Sequence, residues 1–184
     1  GIYSVNPDAK VYVKVTNSWY DPKGEEEAAK TLLNMNCDVI AQHCDTVYPQ
    51  TLAQEKGVYS IGYNSDMSKE APEACLCSVI WNWSAYYTSA VQSVIDGTWD
   101  GSNYYGGMNE NLVSITPVAD FAADTTQEKV NVAKQQILSG KNGVFDGVIE
   151  TNTGATVGTA GKTLEDSVIT GGINWYFKTV SVIE

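Results

Sequence analysis

Three short β-rich runs in the first half of the chain each end in a cluster of polar and aromatic residues, and a helical pattern follows each cluster. The runs and their clusters are residues 11–16 with 17–21, residues 38–42 with 43–46, and residues 58–62 with 63–66. A fourth run, residues 75–80, ends in Trp81, Asn82 and Trp83. In an open parallel α/β sheet, the loops that connect a strand to the following helix lie along the carboxyl edge of the strands, where ligands bind. We call each of these strand-to-helix connections a joint. The pattern therefore predicts a site for a small, flat molecule that forms hydrogen bonds.

Composition and charge limit the classes of protein to which the chain can belong. Its 184 residues suffice for one large domain, or for one domain with an appendage, and 43% of them are hydrophobic, enough for a sizeable core. The net charge of −11 repels nucleic acid and anionic membranes, so we predict no nucleic-acid partner. The acidic residues at 25–27 are interpreted as part of a solvated face. No signal peptide or transmembrane run is present, and the start without methionine leads us to expect a piece of a longer protein.

The four cysteines do not indicate a metal site. Cys75 and Cys77 lie two residues apart on a predicted strand and therefore share a face, which is a poor geometry for a disulfide between them. Zinc is disfavoured because the usual ligand spacing is missing and His43 is the single histidine. We therefore interpret the cysteines as buried free thiols, and we predict no metal and no cofactor.

Alternation of strand and helix patterns predicts the fold. Helices are predicted at residues 22–34, with Pro22 at the helix start, and at 49–55, 83–95 and 125–139, and a fifth strand at 112–116. Three further strands are predicted at 144–150, 155–159 and 175–183. The predicted fold class is α/β: a parallel sheet of about five strands, beginning with residues 11–16 and flanked by helices, with a β-rich C-terminal tail.

Six blocks of residues stand in a specific order and spacing. They are Asn6-Pro7-Asp8, residues 17–22, residues 38–45, residues 56–68, Trp81-Asn82-Trp83 with Tyr86-Tyr87, and residues 96–99. Together they resemble the basic membrane protein family, the substrate-binding lipoproteins of ABC importers, several members of which bind purine nucleosides or related nucleobases. The resemblance runs from Gly1 to about residue 147, with a loose match beyond.

The resemblance implies a type I periplasmic-binding-protein fold, in which two α/β lobes close on the ligand. Residues 1–147 would form the second lobe with segments that return to the first, and residues 148–184 a β-rich tail packed on that lobe. The family's members work with ABC permease subunits outside the cytoplasm, where a lipid anchors them. Because half of the cleft would be missing, we expect weak purine binding by this chain alone and self-association through exposed apolar helices.

Nine residues are candidates for contacting the ligand on the basis of the clusters and the resemblance. They are Trp19, Asp21, His43, Asp45, Tyr63, Asn64, Asp66, Trp81 and Asn82. The Asp66 carboxylate is predicted either to accept both hydroxyls of a ribose or to hold a turn or helix terminus. Asp45 is predicted to bind the ligand or to cap the next helix, whereas the alternative for His43 is a structural role.

Trp19 and Trp81 are predicted to stack on a purine. Asn64 occupies a place that is often acidic in the family, which leaves a bare base as an alternative to a nucleoside. Trp81 stands where nucleoside-binding members often carry a lysine, so their ligand cannot be copied directly to this chain.

Two other classes of function share an α/β scaffold. One is an enzyme that acts on a nucleoside with Asp21, His43 or Asp66 as acid or base, and the other is the effector domain of a transcription regulator. The sequence contains no nucleophile elbow, phosphate-binding glycine loop or metal signature. We therefore predict solute capture for an ABC importer and no catalysis.

Overall fold

The computed structural model describes residues 1–141 and 143–184. These residues contain helices α1 (Ile2–Val5), α2 (Pro22–Asn34), α3 (Tyr48–Lys56), α4 (Trp83–Ile95), α5 (Thr126–Leu138) and α6 (Asp166–Gly171). The strands are β1 (Val11–Lys14), β2 (Val39–Ala41), β3 (Tyr59–Asn64), β4 (Cys75–Trp81), β5 (Val113–Ile115), β6 (Asp146–Glu150), β7 (Thr156–Thr163) and β8 (Val180–Ile183). The chain forms two compact units, Thr16–Lys129 and Gly1–Val15 with Val130–Glu184.

The unit Thr16–Lys129 is built on a four-stranded sheet in the order β2-β3-β4-β5. Strand β3 pairs in parallel with both β2 and β4, whereas β5 pairs antiparallel with β4. The predicted α/β class, a parallel sheet with flanking helices, is therefore confirmed. The prediction that all of its strands run parallel is wrong for β5, because strand propensity does not encode the direction of pairing.

Helices α2 and α3 cover one face of this sheet. Leu33 of α2 and Ala53 of α3 form a buried cluster with Ile40 of β2. The Asp21 carboxylate caps the start of α2, and Gly57, with a φ of 72°, ends α3 in the left-handed conformation that glycine adopts without strain. The caps and the shared core fix α2 and α3 against the sheet. The loops that follow β2 and β3 then lie at the same edge of the sheet.

The second unit contains two small sheets. Strand β1 pairs in parallel with β8, and β6 forms an antiparallel hairpin with β7. Residues 11–16 were predicted as the first strand of the main sheet, and this assignment is wrong: a strand pattern does not identify its pairing partner, and β8 lies about 170 residues further along the chain. The predicted boundary between residues 147 and 148 lies within β6, and the assignment of residues to lobes stays a prediction.

Helix α4 has the bounds that the sequence predicts, but none of its residues is buried. Tyr87, Val91, Val94 and Ile95 lie on one side of this helix and are 58–71% exposed. None of the helices in the described part of the chain combines the length and the apolar character that a membrane-spanning helix needs.

Candidate functional site

A row of rings lies along the carboxyl edge of the main sheet. The Trp19 and His43 rings are 5.4 Å apart between centroids, His43 and Tyr63 are 4.3 Å apart, and Tyr63 and Trp81 are 6.3 Å apart. We call Trp19, His43, Tyr63 and Trp81 the aromatic row. Each ring comes from a different joint, so the four joints meet as the sequence pattern predicted, although β1 itself belongs to another sheet.

The two ends of the aromatic row differ in what they offer to a ligand. Trp81 stacks on Trp83 of α4, with centroids 5.7 Å apart and planes at 27°, and Trp83 stacks in turn on Tyr87. One face of the Trp81 indole is therefore occupied. Trp19 at the other end is 63% exposed and meets His43 at a tilt of 58°, which leaves most of the indole surface open to solvent.

Asp45 and Asn64 place hydrogen-bonding groups beside the row. The Asn64 amide nitrogen donates to Asp45 Oδ1 over 3.3 Å, and the Asp45 backbone N–H donates to the carbonyl of Trp19 over 2.9 Å. Asn64 has a φ of 72°, in the left-handed region that asparagine tolerates better than most residues. Asp45 is exposed, and a carboxylate can accept more hydrogen bonds than this one. It does not lie at a helix N-cap, which is Val47 for α3.

Asp66 adopts the turn role that was one of its two predicted alternatives. Its Oδ1 accepts the Ser68 backbone N–H over 3.0 Å. Hydrogen bonds from the Ser68 backbone and side chain hold the pKa of the Asp66 carboxyl below its usual value, so the group keeps its charge to a lower pH than a free aspartate does. Its hydrogen bonds within the described residues stay in its own turn, and a contact with ligand stays a prediction.

Asp21 and Asn82 also hold local structure. Asp21 Oδ1 accepts the Gly24 backbone N–H over 3.0 Å at the start of α2. Asn82 Nδ2 donates to the carbonyl of Asn111 over 3.1 Å, which joins the β4 joint to the loop before β5. These bonds orient both side chains toward the protein, and a ligand contact by either of them stays a prediction.

The residue that sequence reasoning missed is Glu25. Interpreted from sequence as part of a solvated face, it is 2% exposed, so that interpretation is wrong. Its carboxylate accepts hydrogen bonds from the Asp21 backbone N–H and from the backbone and hydroxyl of Thr46. Glu25 lies four residues after the N-cap Asp21, one position beyond the place of the acidic residue in a capping box, so no sequence motif marked it.

The described residues offer no metal centre, since they contain no group of three or more His, Cys, Asp or Glu side chains able to hold an ion. All four cysteines are free; Cys75 is buried and the other three are half-buried. Burial raises the pKa of the Cys37 and Cys77 thiols, which keeps them in the neutral form that binds metal poorly.

Comparison with protein families identifies the family of the chain. The model of the family described as ABC transporter substrate-binding protein PnrA-like matches residues 1–144. The chain belongs to this family. Members of the PnrA-like family are substrate-binding proteins and not enzymes, which confirms the predicted family and the prediction of no catalysis.

Two curated relatives are similar to the chain in sequence. A purine-binding protein of Brucella abortus is 36% identical over 176 residues, which cover 96% of this chain and 50% of that protein. A Haloferax volcanii protein named for glucose binding in an ABC transporter is 33% identical over 147 residues, 80% of this chain and 38% of that protein. The chain therefore spans half or less of the length of these relatives.

Solved structures share the fold. An ABC transporter solute-binding protein from Conexibacter woesei has a TM-score of 0.57 at 21% identity, over 77% of this chain and 48% of that one. A transcriptional activator of the comK gene from Bacillus halodurans has a TM-score of 0.60 at 20% identity, over 68% of this chain and 45% of that one. At these identities the likeness concerns the fold alone.

Proposed function

We propose that this PnrA-like chain captures a purine nucleoside or nucleobase for an ABC importer. The observation that carries the proposal is the aromatic row with Asp45 and Asn64 beside it. A flat base stacks on exposed rings, and each stacked base gains about 1–3 kcal/mol. The name and the 36% identity of the Brucella relative support a purine as the ligand.

Polar groups at the row determine how a purine would be oriented. Asp45 and Asn64 offer a carboxylate and an amide, which together match donors and acceptors on the edge of a base. The Asp66 carboxylate, whose pKa lies below its usual value, suits the two hydroxyls of a ribose. A nucleoside uses both sets of groups, whereas a bare base uses the first set alone.

A longer receptor is part of the proposal. We propose that residues 1–147 supply the second lobe and its returning segments and residues 148–184 the β-rich tail. The complete receptor then lies outside the cytoplasm on a lipid anchor and delivers its ligand to permease subunits. Small-molecule sites commonly bury 70–90% of the ligand surface. A chain with half of the length of its relatives buries less, so its own affinity for purines is weak.

The further partner that we propose is a second copy of the chain, bound through α4. This helix carries no charged residue, although the chain has a net charge of −11, so two copies can bring it together without repulsion along the contact. An isolated helix of 13 residues is marginal in water, and α4 buries none of its residues within the chain. A second copy that covers Tyr87, Val91 and Ile95 supplies the missing apolar contact.

The test of the ligand is an NMR titration of the 184-residue chain with adenosine, guanosine, adenine and glucose, up to about 10 mM because a Kd near the millimolar range is expected. A chemical shift of the Trp19 indole N–H signal that changes with purine concentration and saturates supports the proposal. Trp19→Ala should weaken binding by at least about fivefold, from the loss of one stacking contact. Trp99→Ala is the matched control, since Trp99 is 48% exposed and lies outside the row.

Two results would contradict the proposed ligand. One is the absence of any shift with every purine. The other is a saturable response to glucose that exceeds the response to the purines, which would favour the ligand class named for the Haloferax relative.

A further inference from the structure

A buried carboxylate joins the first two loops that carry the aromatic row. Glu25 lies in the first turn of α2 and is 2% exposed. Its Oε1 accepts the Asp21 backbone N–H over 3.1 Å. Its Oε2 accepts both the backbone N–H of Thr46, over 3.1 Å, and the Thr46 hydroxyl, over 2.6 Å. One side chain thus holds three donors that come from two loops.

Both loops place their rings close to these anchor points. Asp21 lies two residues after Trp19, and Thr46 lies three residues after His43. Thr46 is itself 7% exposed, so its bonds to Glu25 are shielded from water. Hydrogen bonds to an ionised carboxylate are roughly twice as strong as those between neutral groups. The fixed ends of the two loops therefore limit how far Trp19 and His43 can separate.

Besides the bonds to Glu25, the two loops are joined by one backbone hydrogen bond and by two contacts of the Cys44 thiol. The Asp45 backbone N–H donates to the Trp19 carbonyl over 2.9 Å. The Cys44 sulfur lies 3.6 Å from the Thr16 hydroxyl and 3.8 Å from the carbonyl of Ser18, and thiols form weak hydrogen bonds. The Glu25 side chain accepts three further bonds at its two oxygens, which lie in a buried position.

We propose that Glu25 is a positioning residue whose carboxylate sets the spacing between Trp19 and His43 and so preorganises the open end of the aromatic row for a flat ligand. The ligand part of this inference rests on the proposed function, whereas the spacing of the rings does not. Glu25 is buried and would not touch the ligand. Its effect passes through the two loops.

Glutamine at this position separates positioning from side-chain volume. The three groups that face Glu25 are all donors, two N–H groups and one O–H. A carboxylate accepts from all of them, whereas a glutamine has one acceptor oxygen and turns its NH₂ group toward one of the donors. Glu25→Gln therefore keeps the size of the side chain and breaks the link to one loop.

The experiment measures the nuclear Overhauser effect between ring protons of Trp19 and His43 in the 184-residue chain, together with adenosine affinity by NMR titration. Glu25→Gln should remove or strongly weaken this cross-peak and lower the adenosine affinity about tenfold. Ala29→Gly is the matched control, because Ala29 is 3% exposed in the same helix and the change costs about 1 kcal/mol of helix stability without touching either loop. This control should keep the cross-peak and the affinity.

Thr46→Val and Thr46→Ser provide the second pair of variants, in case Glu25→Gln does not fold. Valine removes the hydroxyl donor and should weaken the cross-peak partly, whereas serine keeps the hydroxyl and should restore it. A wild-type cross-peak in both Glu25→Gln and Thr46→Val would overturn the positioning role. So would a cross-peak that disappears equally in Ala29→Gly, since the effect would then reflect stability alone.

The two readouts distinguish this inference from the proposed function. If the wild-type chain binds no purine, the proposed ligand is wrong, and the cross-peak still decides whether Glu25 sets the ring spacing. If the wild-type chain binds adenosine and Glu25→Gln loses the cross-peak at unchanged affinity, preorganisation of the site by Glu25 is contradicted.

Discussion

Helices α2 and α4 are both 13 residues long, yet they differ completely in what they bury. Helix α2 is the more polar of the two and buries Glu25, Ala29 and Leu33 along one side. Helix α4 has no charged residue and buries nothing within the chain. The apolar content of a helix therefore does not determine how much of it is buried. The elements packed against it do, since α2 faces the sheet and α3, whereas the apolar side of α4 faces solvent.

This difference divides the protein into a supported part and an unsupported part. The supported part, the sheet with α2 and α3, holds the loops of Trp19 and His43 through Glu25. The unsupported part begins where Trp81 stacks on Trp83 and continues along α4. We infer that the open, preorganised end of the aromatic row is the end that rests on α2.

The largest expected effect comes from truncating the supported core. Leu33 is 6% exposed and packs with Ile40 and Ala53, so Leu33→Ala should lower the free energy of unfolding by about 2–5 kcal/mol. The matched change on α4 is Ile95→Ala, where the side chain is 71% exposed and the loss should stay within about 0.5 kcal/mol. Urea denaturation followed by circular dichroism measures both. Equal losses would remove the distinction between the two helices.

A smaller effect is expected when the carboxylate of Glu25 is removed. Glu25→Ala leaves three donors without their acceptor, and the loss of such bonds in a buried place should cost about 1–3 kcal/mol. Glu27→Ala is the control, because its side chain is 68% exposed and forms a solvent-exposed pair with Lys23. The same denaturation experiment checks both variants. A neutral Glu25→Ala would show that the buried carboxylate contributes nothing.

Charge on the apolar side of α4 should weaken self-association. Val91→Lys places an ammonium among the residues that a second copy would cover, so the dimer dissociation constant should rise at least about tenfold, or 1.4 kcal/mol. Ser89→Lys adds the same charge on the opposite side of the helix and should leave the constant nearly unchanged. Sedimentation equilibrium measures the constants. A wild-type chain that stays monomeric at all concentrations would contradict the proposed contact.

The smallest effect concerns pH. Hydrogen bonds from Ser68 lower the folded-state pKa of Asp66 below the ordinary value of 3.8. A lowered folded pKa stabilises the protein above the unfolded pKa, and this contribution disappears as the pH falls through the folded pKa. Asp66→Asn should therefore reduce stability slightly at pH 7 and by less at pH 2. Denaturation midpoints at the two pH values test this, and an effect that grows toward pH 2 would have the wrong sign.

Much of the fold follows from local patterns in the sequence. The bounds of α2 and α4 are those predicted, and α3 differs from prediction only at its ends, because Asp21, Pro22 and Gly57 mark helix termini by chemistry that acts over a few residues. Pairing of strands acts over long separations and was not predictable. For this reason, the partnership of β1 with β8 and the antiparallel direction of β5 were missed.

The candidate site, like the fold, was predictable in one part and not in another. The loops that follow parallel strands lie at one edge of the sheet, so rings on separate loops were predicted to meet there. The rings of Trp19, His43, Tyr63 and Trp81 do lie together. The Glu25 link between two loops depends on which side of α2 faces the sheet. An acidic run at 25–27 looks solvated in sequence, and only the packing shows that one of its members is buried.

Whether the aromatic row is the ligand site is measured most directly by the intermolecular nuclear Overhauser effect between adenosine and the tryptophan rings of the 184-residue chain. We predict cross-peaks from the adenine H2 and H8 protons to the ring of Trp19, which is open to solvent at the supported end of the row. We predict none to Trp99, which is also exposed and lies outside the row. Adenine cross-peaks to Trp99 with none to Trp19 would contradict the assignment of the aromatic row as the ligand site.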